Sequence, residues 1–432
     1  MTKTILEVGA LVKNAQEWIS GPAYLVFDGQ QIEEIGEGTY KKPLLGARKI
    51  VRPHSLAIPG LINTHGHAAM TLLRGAGDDM PLMHWLNQRI FPLEEQLTER
   101  AIYIGTLLAC YEMLKSGTTT FTDMYMMMHH AAEAVANSGM RAMLSWGTVG
   151  FTDENRKRGI ENTRSLAKAW HNAENGRLQI SVGPHAPYTC PADYLRELAK
   201  LAEELQLPMQ IHLSESQTEV EQALQTWGKT PIAQVRDCGL FSVPVLAAHC
   251  VHLTDEDISI LAENSVCVAH NPQSNLKLAS GIAPLPKMLD AGITVGLGTD
   301  GAASNNNLDM FEEMRLAATL HKGISYEATT IPAATAFAMA TEYGARCLFQ
   351  ENKLGILEVG RAADITLLNL DSPHLTPIYD LISNLVYACG ADDVTDVFVA
   401  GEHVLADGKP TRFDIESVLH EARQIASNLS RK

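Results

Sequence analysis

Through the middle of the chain, apolar and polar positions fall into blocks that keep one order. A short β-rich apolar run ends in a polar cluster, and a longer stretch with apolar residues three and four apart follows it. The runs are Ser55–Ile62, Thr118–Thr122, Arg141–Ser145, Gln179–Val182, Pro208–Leu213, Val243–Ala248, Ser265–Ala269 and Ile293–Gly298. Between them, segments such as Asp193–Leu205 and Asp255–Glu263 carry the helical spacing with charges on the remaining face. Strands alternating with helices predict a parallel sheet, and eight such units predict an α/β fold closed as a (β/α)8 TIM barrel. An open doubly wound sheet is the competitor, but no Gly-x-Gly-x-x-Gly follows the first strand.

The two ends carry a different pattern. Ala23–Gln30 reads as a strand running into a turn at Asp28-Gly29, and Ala363–Leu368 and Asp396–Gly401 read as further short strands. Neither end alone buries a sheet face. The expected organisation is therefore a small β-sandwich built from residues 1–57 and 354–432, with the barrel at 58–353 between them. Asp414–Leu429 reads as an amphipathic terminal helix.

Composition narrows the function classes. With 432 residues, 46% of them hydrophobic, the chain can bury more than one ordinary core. A formal net charge of −16 argues against nucleic acid as a partner and for a small or neutral ligand. The 7 cysteines are scattered without a Cys-x-x-Cys pair, as in a reducing compartment. The N-terminus lacks a signal-peptide layout, and no uncharged apolar stretch reaches the ~20 residues needed to span a bilayer. The expectation is a soluble, cytoplasmic protein without a membrane partner.

Chemistry collects at the strand ends, where a (β/α)8 barrel carries its reactive groups. His65 and His67 follow the first run, and their spacing of two points both imidazoles to one side of a strand. His185 closes the fourth, His212 lies in the fifth with Glu215 just beyond, His249 closes the sixth, His270 the seventh and Asp300 the eighth. His65, His67, His212 and Asp300 make a plausible set for one zinc ion, or for iron. A water on such a cation becomes a nucleophile near neutral pH. Asp300 can then take its proton, His249 can hold it by a hydrogen bond, and Glu215 can move a proton at the reacting ring.

Each residue also has an ordinary reading. His212 alone could be a satisfied core histidine, Asp300-Gly301 a turn, and Glu215 a helix-start carboxylate. All of these must hold together to remove the site, and recurrence from independent strands argues against that. His129, His130 and His252 read as structural, Cys250 reads as packing, and His270 stays open.

Taken in order, these residues resemble the amidohydrolase superfamily. The carriers are Pro59-Gly60-Leu61-Ile62-Asn63-Thr64-His65-Gly66-His67 and Gly298-Thr299-Asp300-Gly301. A closer similarity, to the 5-methylthioadenosine/S-adenosylhomocysteine deaminases, lies in Met70–Gly75, Gly183–Tyr188, Ala248–His252, His270–Leu278 and Asp300–Asn306. That resemblance implies hydrolytic removal of the 6-amino group of an adenine nucleoside as ammonia. It implies metal ligation by His65, His67, His212 and Asp300, proton transfer by Glu215 and polarisation by His249. It also implies that Glu94 accepts the ribose hydroxyls and that His185 is a second substrate contact. Some relatives carry an arginine near Trp146 for the homocysteine carboxylate; Trp146 cannot form that ion pair, although Arg158 is a candidate to help. The departure tilts the expectation toward methylthioadenosine. Met70, Leu73, Met80, Leu82, Met83 and Trp85 could cover a thioether or simply pack a long loop.

Competing readings are another hydrolase of this superfamily (a guanine or cytosine deaminase, or a triazine amino- or chlorohydrolase) and a non-catalytic binding barrel. The Pro-Cys-x-x-Cys signature of the unrelated zinc deaminase fold is absent. The family often forms homo-oligomers, but nothing in the sequence marks an interface.

Overall fold

The structure is a computed structural model that describes residues 3–43, 45–80 and 82–429; the side chains of Leu82 and Met83 lie outside that description. Eight parallel strands run in chain order around a barrel: Leu61–Asn63, Thr118–Tyr125, Arg141–Thr148, Leu178–Pro184, Met209–Leu213, Val245–His249, Cys267–His270 and Val295–Leu297. The first and last meet through backbone bonds, Thr64 N–H to Leu297 O at 2.8 Å and Asp300 N–H to His65 O at 3.0 Å. The barrel strands are buried along nearly their whole length, as both-faces-covered parallel strands must be.

A second sheet joins the ends of the chain. Ile365–Asn369 pairs antiparallel with Arg48–Pro59, which itself pairs with Thr4–Val12. The expected hairpin is present, with Asp28 opposite Gln31 and Gly29 at φ 55°. A fully buried Arg141 on the third barrel strand grips Asp364 with two bonds of 3.0 Å and so ties barrel to sheet. The terminal helix Ile415–Leu429 packs on helix Glu99–Lys115, with Arg100 and Glu421 paired at 2.6 and 2.7 Å.

The run Ser55–Ile62 is not one barrel strand. Its first half belongs to the end-built sheet, and only Leu61–Asn63 enters the barrel. Gly60 is the pivot: a Cβ there would stand 2.2 Å from the Thr119 side chain, so only glycine lets the chain cross between sheets at this point.

Candidate active site

Three strand ends bring one cluster together. His65 and His67 leave the first strand, His212 ends the fifth, and Asp300 follows the eighth with φ 62°. His67 Nδ1–H donates to the Met124 carbonyl at 2.6 Å, and His212 Nδ1–H donates to the His185 carbonyl at 2.7 Å. Those bonds fix the tautomers and turn both Nε2 lone pairs inward, where they stand 3.3 Å apart. Two facing lone pairs would repel; a proton on His67 Nε2 or a cation between the rings removes the conflict. His65 Nε2 is buried without a hydrogen-bond partner and lies 3.5 Å from Asp300 Oδ1. The ligand atoms of His65, His67 and His212 fall within 4.8 Å of one another, as do those of His65, His249 and Asp300. Three imidazoles and one carboxylate with an inward orphan nitrogen fit a single zinc-like ion.

Electrostatics agree with that fit. Burial opposes a charge on His67, but the hydrogen bond and charge of Asp300, 3.2 Å away, outweigh it and raise its pKa to about 9. Burial pushes His65 down to about 4 and His212 well below the usual range. Burial alone would raise Asp300, yet His65 and His67 hold its carboxyl well below the usual carboxylate range. Ser274 and Ser304 donate to its Oδ2 at 2.6 and 2.7 Å, leaving Oδ1 turned to the histidines.

His249 and Glu215 face the same space. His249 Nδ1 lies 2.9 Å from Asn275 Oδ1 and 3.3 Å from Asn271 Nδ2; the shorter contact, to an acceptor, favours the proton on Nδ1, with Nε2 3.9 Å from Glu215 Oε2. Ser280 Oγ donates to Glu215 Oε1 at 3.3 Å. The cluster floors a cavity of about 760 Å³, whose wall also includes Glu94, His185, Tyr188, Met70 and Phe151. Burial raises the Glu94 carboxyl, while Tyr125 donates to it at 2.6 Å and pulls the other way. Burial lowers His185 to about 4, so it stands neutral in the wall, with Nδ1 3.0 Å from Thr189 Oγ1.

Glu94 reaches the cavity on the long segment between the first strand and helix Glu99–Lys115. That segment folds as a 3-10 helix Ala68–Leu73, a π-helical turn Leu86–Ile90 and a short helix Phe91–Glu94. In the π turn the Phe91 N–H reaches back to Leu86 O, which shifts the register just ahead of Glu94. Met70 and Trp85 line the cavity, Leu73 and Met80 pack with the core, and Leu82 and Met83 fall outside the described side chains. Lys277 anchors the segment through Asp78 at 2.6 Å, and Asn306 Nδ2 donates to Asp78 at 2.9 Å.

Two expected substrate contacts are placed elsewhere. Trp146 is not in the cavity wall: its strand neighbour Gly147 lines it, and alternation turns the indole into the surrounding apolar core. Arg158 sits exposed on helix Asp153–Trp170 and is likewise absent from the wall. His270 is buried and faces His321 at 6.0 Å between ring centroids, outside the cavity lining. His252 Nε2 lies 2.6 Å from the Ser280 carbonyl, the ordinary structural bond expected for it. Tyr125, Ser274, Ser304, Asn275 and Glu219 were not singled out by sequence reasoning. Ser274, Asn275 and Ser304 lie inside motifs that carried the resemblance, and only Glu219, in Ser216-Gln217-Thr218-Glu219, had a local signal of its own.

A cation that these four side chains could hold, beside an acid and a further imidazole at a barrel mouth, would equip the fold for hydrolysis; the class is a metal-dependent hydrolase. The chain belongs to the amidohydrolase family, whose model matches residues 56–404. It is 48% identical over 412 residues to the 5-methylthioadenosine/S-adenosylhomocysteine deaminase of Syntrophomonas wolfei, covering 94% of each chain. It is 43% identical over 430 residues to the protein of that name from Thermoanaerobacter pseudethanolicus, covering 99% of each. Among solved structures, an adenosine deaminase from Xanthomonas campestris with bound zinc superposes with a TM-score of 0.93 at 32% identity, covering 100% of this chain and 99% of that one. No helix among the described residues is long and apolar enough to cross a membrane.

Proposed function

We propose that this chain hydrolytically deaminates adenine nucleosides bearing a 5′-thioether, turning 5′-methylthioadenosine into 5′-methylthioinosine in preference to S-adenosylhomocysteine. One observation carries the substrate choice. The cavity joins the ligand cluster and Glu215 to a wall of Met70, Trp85, Ile90, Phe91, Met126 and Phe151, with Glu94 in it and no Lys or Arg among the described lining residues. An uncharged thioether suits that wall, whereas a homocysteine carboxylate would be desolvated without a partner. The likeness in sequence to the named deaminases supports the reaction itself.

A zinc ion, or iron in its place, held by His65, His67, His212 and Asp300 would supply the nucleophile by lowering the pKa of a bound water toward about 7. Asp300 Oδ2 accepts two serine hydroxyls, while Oδ1, which accepts the Gly301 N–H at 2.8 Å and faces the histidines, is the oxygen that takes the proton of the attacking water. His249, protonated on Nδ1 by its bond to Asn275, accepts a hydrogen bond from that water at Nε2 and orients it toward C6. Glu215 donates a proton to ring N1 as the C6–O bond forms; as the C6–N bond breaks, the proton taken up by Asp300 passes to the departing amine and the remaining hydroxyl proton returns to Glu215. Ammonia leaves, and the base retains an oxygen at C6. Glu94 accepts the ribose hydroxyls, and neutral His185 contributes a second polar contact.

The test is ammonia release by metal-replete protein from methylthioadenosine, S-adenosylhomocysteine, adenosine, guanine, cytosine and melamine. Methylthioadenosine should give the highest kcat/KM. Turnover of only a free base or a triazine would discard the nucleoside pocket.

A further inference from the structure

Glu219 is a buried carboxylate that the reaction scheme does not use. It stands at the third position of helix Gln217–Trp227, whose cap Ser216 accepts the Glu219 N–H at 3.2 Å. In an ordinary capping box the acidic side chain at this position reaches back to the amide of the cap residue. Here it goes further. Glu219 Oε2 accepts the Glu215 N–H at 2.8 Å, and Oε1 accepts the Ser214 N–H at 3.0 Å. Both oxygens of one carboxylate therefore hold two successive amides immediately before the helix.

Those amides belong to a demanding piece of backbone. Ser214 adopts φ 52°, a left-handed conformation that a serine takes only when its surroundings impose it. The Ser214 carbonyl accepts the Val251 and His252 amides at 3.0 and 2.9 Å, so the turn also joins the ends of the fifth and sixth barrel strands. Between these restraints sits Glu215, its carboxyl 3.9 Å from His249 Nε2. Glu219 is 7% exposed, and burial pushes its pKa up to about 7 against the pull of the two amide bonds. A buried acid with both oxygens committed to the backbone beside a reacting group serves that group's geometry.

We propose that Glu219 is a positioning residue for Glu215: its carboxylate clamps the amides of Ser214 and Glu215 and fixes the turn that aims the Glu215 carboxyl into the cavity. The proposal rests on the reading of Glu215 as the proton-transfer group. Two oxygens are required, because glutamine would set its NH2 against one of the two N–H donors, and aspartate is a methylene too short to span both.

The experiment is a double-mutant cycle in zinc-loaded protein, read together with hydrogen exchange. Glu219→Gln should lower kcat at least about tenfold with KM within about threefold and zinc content unchanged; in the Glu215→Gln background the same change should alter kcat by less than about threefold. Exchange at the Ser214 and Glu215 amides should quicken at least about tenfold while the rest of the chain keeps its protection. Equal losses in both backgrounds, loss of zinc, or unchanged exchange would overturn the proposal. If Glu219→Gln does not yield folded protein, Glu219→Asp carries the same expectations. Wild-type protein inert toward every 6-aminopurine nucleoside would instead overturn the functional reading, and the exchange comparison would still decide whether the clamp exists.

Discussion

Zinc uptake by metal-free protein should displace a proton from the ligand cluster itself. His67 Nε2 lies 3.2 Å from Asp300 Oδ1, and that carboxylate lifts its pKa to about 9, whereas burial leaves His65 at about 4. At pH 6 His67 is therefore more than ~99% protonated and His65 about 99% neutral. A metal needs the Nε2 lone pair, so the proton must leave: protonation opposes binding, and affinity falls about tenfold per pH unit below about 7 and more steeply between about 7 and 9, where a bound water also ionises. A bound water with a pKa near 7 adds only about 0.1 proton at pH 6, for a total of ~1.1 per ion. At pH 8 the water contributes about 0.9 and His67 about 0.9, and the total rises to ~1.8. Calorimetric titration with zinc in buffers of different ionisation enthalpy reads this number as a slope. A release near 0.1 at pH 6 would mean that His67 is neutral before metal arrives, and the charge coupling between His67 and Asp300 would be refuted.

Glu215→Gln should keep full zinc and lower kcat by roughly 10²–10⁴, the usual span for a lost general acid–base group; turnover near wild type would remove it from the chemistry. Glu94→Ala removes a half-buried acceptor beside Tyr125, and a charged hydrogen bond worth ~1.5–3 kcal/mol corresponds to a roughly ten- to hundredfold loss in kcat/KM for nucleosides. Free adenine should be nearly unaffected, and equal losses for base and nucleoside would count against ribose recognition. His67→Ala should leave the protein unable to retain zinc through dialysis, measured by elemental analysis; stoichiometric zinc would displace His67 from the ligand set.

Local periodicity carries much of this molecule. A strand's repeat of two places His65 and His67 on one side, and the barrel rule converts a histidine or aspartate at a strand end into a member of a shared mouth. That reasoning reaches His212, His249 and Asp300 without knowing how any loop runs. It works because side-chain direction along a strand follows from the backbone alone. The expectation for Trp146 comes from the resemblance and not from this periodicity; in the structure the neighbouring Gly147 lines the cavity and the indole packs against the core. The periodicity does read Ser55–Ile62 as one strand, because hydrophobicity does not change where the chain passes from one sheet to the other at Gly60.

The remaining decisions belong to contacts between distant segments. Glu94 looks like a surface charge until a π-helical turn carries it to Tyr125, thirty-one residues on in sequence. Ser274 and Ser304 come from different loops to one oxygen of Asp300, and Glu219 looks like a capping residue until its carboxylate passes the cap and seizes two amides. By itself the sequence determined the barrel and placed the candidate ligands and Glu215 at its strand ends, since strand order and side-chain alternation follow from local pattern. Only the tertiary structure decided which loop residues orient those groups and which wall the substrate meets, because loop paths are set by packing against partners that no local pattern identifies.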